Sequence, residues 1–596
     1  MNEALQLTHT RVGDIPLLFG LVTKLGIPEI YDREIGDHGA HVGLSGGWML
    51  AIWIVFILTE CDHTKYKVEE WIERHAALLS RLSGQQIRAV EFNDNRLSSL
   101  LSRLSKLERW ERFEASIWQN SVSVYEILQP SVGKLYSAHC DSTTASGYHQ
   151  VHENGVMQRG YSKDHRPDLA QLKLMSVAMH PYGHLIATQV ASGETADEGL
   201  YLPLIARVRR MLGRVGVLYV GDSKMAALAT CAQIAYEGDY YLTVAPMIGE
   251  IKKSLPAWID AALSGEQALT TLCKQTGERI GCGYELTRQC TAQIPTGPNG
   301  ALEAFTFFER VQVIQSEDLR AAQSKSLQDR LRRAQAEIKA LTPEPGRGRY
   351  QYREEESFKA ALAAVLEKHK VVGLLEVDWE VQERKQTRFV GRGRAGAGTE
   401  RPKREIVTRR CHVKSVQYDR KAVAAAGRRL GWRVQLSNAP VEISLEACVR
   451  HYRANWRGER NYDRIKDTPI EIDPIFVRND DQIIGITNLL TMAVRVESLI
   501  EIQVARGLQS ESKQIKGLYP GLPNKGTDHP TAVAMLKAID RKEITLTRVE
   551  LNGNTSLHLS PLTEWLPDVL RYLHLSPTLY ADLQNNSAFD VSISGK

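Results

Sequence analysis

Between residues 135 and 246 the chain alternates short apolar runs with two amphipathic stretches, and their order narrows the possible folds more than any other feature. "KLYSAHCD" comes first; "KLMSVAMHPYGHLIATQVASG" then alternates or runs apolar over strand-like lengths around a Pro-Tyr-Gly turn at 181–183. "GLYLPLIARVRRMLG" has helical spacing and a Gly near its end. "VGVLYVGD", the helix-like "SKMAALATCAQIAYEG" and "DYYLTVAP" complete the run. The predicted order is strand, two hairpin strands, helix, strand, helix, strand. Hairpin strands run antiparallel and strands joined through a helix run parallel, so the run predicts a mixed α/β sheet flanked by helices.

That order resembles the mixed sheet of the ribonuclease H type, in which the first and fourth strands are neighbours and acidic residues sit at strand edges beside a shared metal site. Asp141 and Asp222 each fall at the C-terminal end of a predicted strand, the first and the fourth. Carboxylates so placed suit phosphoryl transfer: two Mg²⁺ ions about 3.5 to 4 Å apart clamp the attacking and leaving oxygens, and hard cations take oxygen ligands. Taken singly, either aspartate also fits a local role. Asp141 opens a turn-like "DST", and Asp222 is a natural cap for a helix beginning at Ser223.

A third carboxylate is expected from a helix on the same sheet edge. "SLEACVRHYRANWRGERNYDRIKD" offers one, with Ser444 as N-cap and Pro469 ending the pattern. If it is a single helix, Tyr452, Asn455, Glu459 and Lys466 project from one face at about 100° per residue. A solvated charged helix with Tyr and Trp at its core edge fits the same pattern.

Asp141 in "CDSTT", Asp222 in "VGDSKMAA" and Glu459 in "YRANWRGERNYDRIK" resemble the triad of DDE transposases from bacterial insertion sequences, in the group with a large insertion before the Glu. That group's third-carboxylate helix reads Tyr, two residues, Arg, three residues, Glu, six residues, Lys. Here Tyr452, Glu459 and Lys466 match, and Asn455 stands where the Arg is expected. "GYSKDHRPDLAQLK" and "DYYLTVAP" add to the likeness, which runs from about residue 10 to 540.

The resemblance implies a ribonuclease H-like α/β core, interrupted by a large α+β insertion, with helical N- and C-terminal regions. It implies that Asp141, Asp222 and Glu459 hold two divalent cations, Mg²⁺ or Mn²⁺. Tyr452, Asn455 and Lys466 would contact DNA, Tyr452 at the terminal phosphate and Lys466 at the backbone, although Asn455 carries no charge for the grip that an Arg provides. The implied activity is cleavage at the ends of an insertion sequence, then joining of the 3′-hydroxyl ends to target DNA. The implied partners are double-stranded DNA, as terminal inverted repeats and as target, and a second copy of the chain in a homodimer assembled on DNA. Insertion-bearing relatives further imply second-strand cutting through a DNA hairpin. Two rival readings are a nuclease of the same fold without strand transfer and a DNA-binding relative without catalysis.

Within "GYSKDHRPDLAQLK", Lys163, His165 and Arg166, with Lys173 beyond them, are candidates for contact with substrate phosphates. A polar β-connection fixed by Pro167 explains the same residues equally well. The roughly 200 residues from Pro246 to Pro440 are too many for a simple connection and form an insertion. Its "SEDLRAAQSKSLQDRLRRAQAEIKAL" predicts a long helix with i,i+4 charge pairs. The stretch 383–410 has ten basic residues against three acidic and glycines that permit a mobile loop, which makes Arg392 and Arg394 candidates for DNA-backbone binding. Trp379 and Trp432 are read as core aromatics rather than base-stacking platforms.

The whole chain of 596 residues is too long for one core, and the predicted division is 1–125 (helical, binding DNA ends), 126–246 and 441–510 (catalytic core), 247–440 (insertion) and 511–596 (small helices). Its net charge of +5 is too small to indicate DNA by itself, so an anionic partner must be met by local clusters. The first twenty residues lack a signal-peptide pattern, and the most apolar run, "WMLAIWIVFIL", is half the length needed to span a bilayer, so no membrane is expected. Eight scattered cysteines lack the C-x₂₋₄-C spacing of a zinc grip and are read as free thiols of a reducing, cytoplasmic compartment.

Overall fold

A computed structural model describes residues 5–39, 42–163, 165–296, 300–390, 402–466, 470–551 and 554–585. The chain forms two compact units: Met1–Val244 with Arg288–Glu309 and Leu436–Lys596, and Ala245–Thr287 with Arg310–Gln435.

The first unit opens with strand β1 (Gln6–Arg11) and helices α1 (Ile15–Lys24), α2 (Ile27–Glu34), α3 (Gly46–Glu60), α4 (Lys65–Ser83), α5 (Asp94–Leu104) and α6 (Leu107–Tyr125). The apolar run at 48–58 becomes α3, whose Ser45 N-cap accepts the Trp48 N–H; Met49 to Leu58 are all buried. Then come β2 (Ser137–Gly147), β3 (Ala170–Met179), β4 (His184–Ser192), α7 (Glu198–Leu212), β5 (Leu218–Gly221), α8 (Leu228–Tyr236) and β6 (Tyr240–Val244). Element types and order match the predicted run. These strands pair in the order β4-β3-β2-β5-β6. β3 is antiparallel to both β2 and β4, whereas β5 is parallel to both β2 and β6.

The second unit is built mainly from α9 (Gly249–Ser264), β7 (Thr270–Cys273), β8 (Arg279–Thr296), β9 (Ala301–Ser316), α10 (Glu317–Ala340), α11 (Glu355–Lys368), β10 (Leu375–Phe389), β11 (Lys403–Tyr418), α12 (Arg420–Arg428) and β12 (Trp432–Ser437). The expected long helix is α10, and its Leu331, Ala334 and Ile338 share a core with Phe358, Val371, Cys411 and Val413. Trp379 packs on Phe358 at a ring separation of 5.0 Å, and Trp432 is buried, as core aromatics should be. The flanks of the basic stretch are strands rather than loop, and its glycines, all within 391–398, lie outside the described residues. Residues 383–389 and 403–410 belong to the ladder β10–β11, in which Glu383 pairs with Arg409 and Phe389 with Lys403, because both flanks carry strand-compatible alternation. Arg392 and Arg394 lie outside the described residues.

The chain returns to the first unit through α13 (Leu445–Arg453), α14 (Trp456–Lys466), α15 (Asp480–Ser510), α16 (Ala532–Asp540), β13 (Thr545–Leu551), β14 (Asn554–Leu559), α17 (Leu566–Tyr572) and α18 (Asp582–Asn585). α15 alone among the described helices is long and apolar enough to cross a membrane, yet 94% of its apolar window is buried inside the fold, against α3, α5 and β4. Gly485 allows this approach, since a Cβ there would lie 2.1 Å from the Leu101 carbonyl oxygen. The C-terminal region is not wholly helical as expected. β13 pairs with β14 and with β1, because "TLTRVEL" meets a partner strand more than 500 residues earlier.

Charge also holds this unit together. The buried Glu114 of α6 accepts hydrogen bonds from Arg207 of α7, Arg495 of α15 and the Thr188 hydroxyl of β4. One carboxylate thereby joins three helices to the sheet edge and pairs with both buried guanidiniums.

Candidate carboxylate site on the mixed sheet

Strand alternation puts His139 and Asp141 on one face of β2 and Ser142 on the other. Asp141 is not at the end of its strand, as the sequence suggested. It is the fifth of eleven residues, because β2 continues along β3 to the Gly147–Ala170 pair. What ends near Asp141 is the pairing with β5: His139 lies opposite Val220, and β5 stops at Gly221, so Asp222 emerges beside Asp141.

Each carboxylate is held by one oxygen. Asp141 Oδ1 accepts the Ser142 N–H at 2.7 Å and lies 3.9 Å from Lys163 Nζ. Its carbonyl accepts from the Tyr462 hydroxyl of α14 at 2.5 Å, and that hydroxyl in turn accepts from Ser176. Asp222 Oδ1 accepts the Tyr201 hydroxyl at 2.7 Å and the Lys224 N–H at 2.8 Å. It closes a turn rather than capping the next helix, which starts only at Leu228. Glu459 Oε1 accepts from Asn455 Nδ2 at 3.1 Å. The second oxygen of each carboxylate makes no hydrogen bond among the described residues.

The Asp141 carboxyl senses its surroundings. Burial raises the Asp141 carboxyl to about 6; Lys163 and the Ser142 N–H oppose that rise, while the charges of Asp222 and Glu459 add to it. About a quarter of the Asp141 side chain remains exposed, the one position of β2 that is not buried.

The helix carrying Glu459 corrects a second expectation. Ser444 does cap it, accepting the Ala447 N–H, but the helix breaks at Ala454 and Asn455 into α13 and α14. Asn455 restarts it: its carbonyl accepts the Gly458 and Glu459 N–H groups, and its Oδ1 accepts from His139 Nδ1 at 2.5 Å. Tyr452, Asn455, Glu459 and Lys466 therefore do not share one continuous helix face. Tyr452 is half-buried against the cluster of Val132, Leu218 and Val220, Asn455 sits at the break, and only Glu459 and Lys466 ride on α14. The β3–β4 turn seats α14. Arg457 donates to the Pro181 carbonyl and Asn461 to the Gly183 carbonyl, while Gly183, at φ +73°, leaves room where a Cβ would be 2.5 Å from the Arg457 carbonyl.

The loop after β2 is turned inward more than the sequence suggested. Lys163 donates to the Ser142 carbonyl and hydroxyl at 2.5 and 2.7 Å and lies 3.8 Å from Asp197. Arg166 forms a bidentate pair with Asp168, and His165 is exposed at φ +56°. Tyr201 and Tyr462, which orient the two aspartates, carry no spacing signal in the sequence. Beside Glu459 an open cleft of about 620 Å³ is lined by Trp456, Arg460, Arg464, Glu501 and Thr531. Glu501 fixes both arginines of that wall, at 3.1 and 2.6 Å.

Against known proteins, residues 7–117 match a family model described as a domain of unknown function, DUF4277. No curated protein matches the chain. Among solved structures the chain is similar to a piggyBac transposase in a synaptic complex with hairpin DNA, at 9% identity and a TM-score of 0.23. The alignment covers 52% of this chain and 60% of that one.

Proposed function

We propose that this protein is a DDE-type DNA transposase of a bacterial insertion sequence, with a ribonuclease H-like core, acting by metal-assisted phosphoryl transfer at Asp141, Asp222 and Glu459. One observation carries the reading. Asp141 and Asp222 lie at neighbouring parallel strands, Glu459 rides on a helix near enough for its charge to act on Asp141, and among the described residues each carboxylate keeps one oxygen clear of hydrogen bonds. The strand order β4-β3-β2-β5-β6, with only β3 running against the rest, supports the fold assignment.

The donor set suits hard divalent cations, since it offers carboxylate oxygens alone and an excess of negative charge. Asp141, Asp222 and Glu459 would hold Mg²⁺ or Mn²⁺, which when bound stabilises charge on the attacking and leaving oxygens of an in-line displacement. The chain's own residues do the positioning. Tyr201 and the Lys224 N–H fix the rotamer of Asp222, Ser142 and Lys163 fix Asp141, and Asn455 fixes Glu459. Asn455 is thus a positioning residue within the protein, which accounts for an uncharged side chain where the resembling family has an arginine. The exposed Arg166 and His165, the half-buried Lys466 and the basic ladder are assigned to the DNA backbone, with terminal repeats and target as substrates and a homodimer as the DNA-bound form.

Incubating the purified protein with Mg²⁺ and labelled DNA bearing the inverted repeats that flank its coding region tests this. Cleavage at the element end with joined products, both lost in Asp222→Asn and Glu459→Gln, is the expected result. Cleavage without joined products would identify a nuclease; binding without cleavage would identify an inactive relative; cleavage surviving in both variants would place the chemistry elsewhere.

A further inference from the structure

A second group of potential ligands lies beside the carboxylates and is chemically unlike them. His139 of β2, His180 at the end of β3 and His451 of α13 are buried, with 3, 6 and 4% of their surfaces exposed. Their ligand atoms all lie within 4.8 Å of one another, and the ring centroids are 5.0, 5.2 and 4.4 Å apart. Among the described residues His139 Nε2 and His451 Nε2 have no hydrogen-bond partner, and the His180 ring, with the Ala454 backbone beside it, makes no hydrogen bond of good geometry. Buried polar atoms are rarely left unmatched, and three neighbouring buried imidazoles with so many poorly matched ring nitrogens call for an explanation.

We propose that His139, His180 and His451 form a binding site for a single transition-metal ion, Zn²⁺ foremost, that ties α13 to the sheet and so sets the position of Asn455 and Glu459. The tautomer of His139 is already fixed for ligation. Nδ1–H donates to Asn455 Oδ1 at 2.5 Å, which leaves the Nε2 lone pair pointing away from its only partner, the arrangement that metal-bound histidines use to hold their orientation. Zn–N bonds of about 2.0–2.1 Å in a tetrahedral site need nitrogens about 3.3 Å apart, so the rings must close by roughly an ångström or more from their widest separation. Imidazole donors favour Zn²⁺, Co²⁺, Ni²⁺ or Cu²⁺ and disfavour Mg²⁺, which separates this site from the oxygen-only carboxylate site. Among the described residues no fourth His, Cys, Asp or Glu joins the group, so the fourth position falls to a small ligand such as water.

One charge opposes binding. Arg457 acts on all three rings; it favours the neutral, ligating imidazoles but repels a dication, so the affinity is expected to be below that of a trihistidine site without a neighbouring cation. The connection to the carboxylate site is direct, because Asn455 accepts from His139 through Oδ1 and donates to Glu459 through Nδ2.

The test uses full-length protein stripped with a chelator and then titrated with Co²⁺. One equivalent per chain should give visible d–d absorption, be displaced by one equivalent of Zn²⁺ and persist in a 100-fold excess of Mg²⁺. The signal should be lost in His180→Gln and His451→Gln yet retained in Asp141→Asn and Glu459→Gln, which separates this outcome from any failure of the carboxylate assignment. Should the histidine variants not fold, the melting of an Asp141→Asn, Asp222→Asn double variant provides the second reading: Zn²⁺ should raise its Tm by several degrees and Mg²⁺ should not. Absence of stoichiometric uptake by the stripped wild type, uptake unchanged in folded histidine variants, or a double variant indifferent to Zn²⁺ would each overturn the proposal and leave a metal-free cluster of neutral imidazoles.

Discussion

Two long antiparallel ladders in this molecule are built to opposite rules. β2 and β3 pair over ten residues and are buried throughout except at Asp141, whereas β10 and β11 pair over fifteen with most side chains exposed. Charge in the first ladder is rare and strongly coupled: Asp141 is raised by burial and by its neighbours, and buried Lys173 is satisfied by Asp197 at 2.5 Å. Charge in the second is abundant and locally paired, as Glu383 with Arg409 and Glu380 with Lys414, both at 2.7 Å. Enclosure, not the number of charges, decides how much a single charged residue matters.

The largest effect expected from this contrast comes from removing a carboxylate in each environment. Glu114→Ala leaves Arg207 and Arg495 buried without their partner and should cost about 3–5 kcal/mol in urea unfolding. Glu383→Ala, on the exposed ladder, should stay within about 0.5 kcal/mol. Similar losses in the two variants would break the comparison.

Asp141 comes next and carries a sign. Its folded carboxyl titrates near 6, above the ordinary 3.8, so the native state binds the proton more tightly than the unfolded chain. This contribution to stability is fully present below about pH 4 and is lost as the pH rises through 6. Without divalent cations Asp141→Asn should therefore be more stable than wild type at pH 8, by up to about 3 kcal/mol, and the gain should vanish near pH 4. With Mg²⁺ the order at pH 8 should reverse, because ligation needs the ionised carboxylate. A pH-independent difference would show that burial does not raise the Asp141 carboxyl in the folded state.

A matched pair of glycines sharpens the same point without charge. Gly183, in the turn under α14, and Gly373, just before β10, have φ of +73° and +74°. Alanine strains both backbones by about 1 kcal/mol, but only at Gly183 does the new Cβ meet backbone, the Arg457 carbonyl, while at Gly373 nothing lies within 4 Å. Gly183→Ala should cost about 2 kcal/mol or more and impair the proposed DNA cleavage by shifting α14; Gly373→Ala should cost about 1 kcal/mol and leave that proposed activity intact. Equal costs would mean that α14 gives way freely.

Local pattern made the order of strands and helices legible, since periodicity is written within each element. The extent of β2 was not, because its last six residues are strand only through their pairing with β3. The break at Ala454 and Asn455 has no Gly or Pro to announce it and is fixed by a hydrogen bond to a histidine 316 residues away. For the same reason the sequence offers the three carboxylates as candidates but not their surroundings: Tyr201 and Tyr462, and the histidines at 139, 180 and 451, have no spacing that a linear reading can weigh.

The smallest effect belongs to the exposed ladder and discriminates best between structure and function. Arg388 and Arg404 are cross-strand partners in β10 and β11, and no carboxylate pairs with either among the described residues. Like charges directly opposite one another destabilise a ladder by a few tenths of a kcal/mol, so a protein selected only for stability gains by losing one of them. Arg404→Thr, which also restores a β-branched residue, should raise stability slightly, by about 0.3–0.5 kcal/mol. If the ladder meets DNA phosphates, the same change should weaken DNA binding at low salt and reduce the slope of log K against log salt by about 0.9. Opposite signs in unfolding and binding assays would identify a surface kept charged for its partner. A stability gain with unchanged binding would assign the arginines to solvent and remove this ladder from the DNA path.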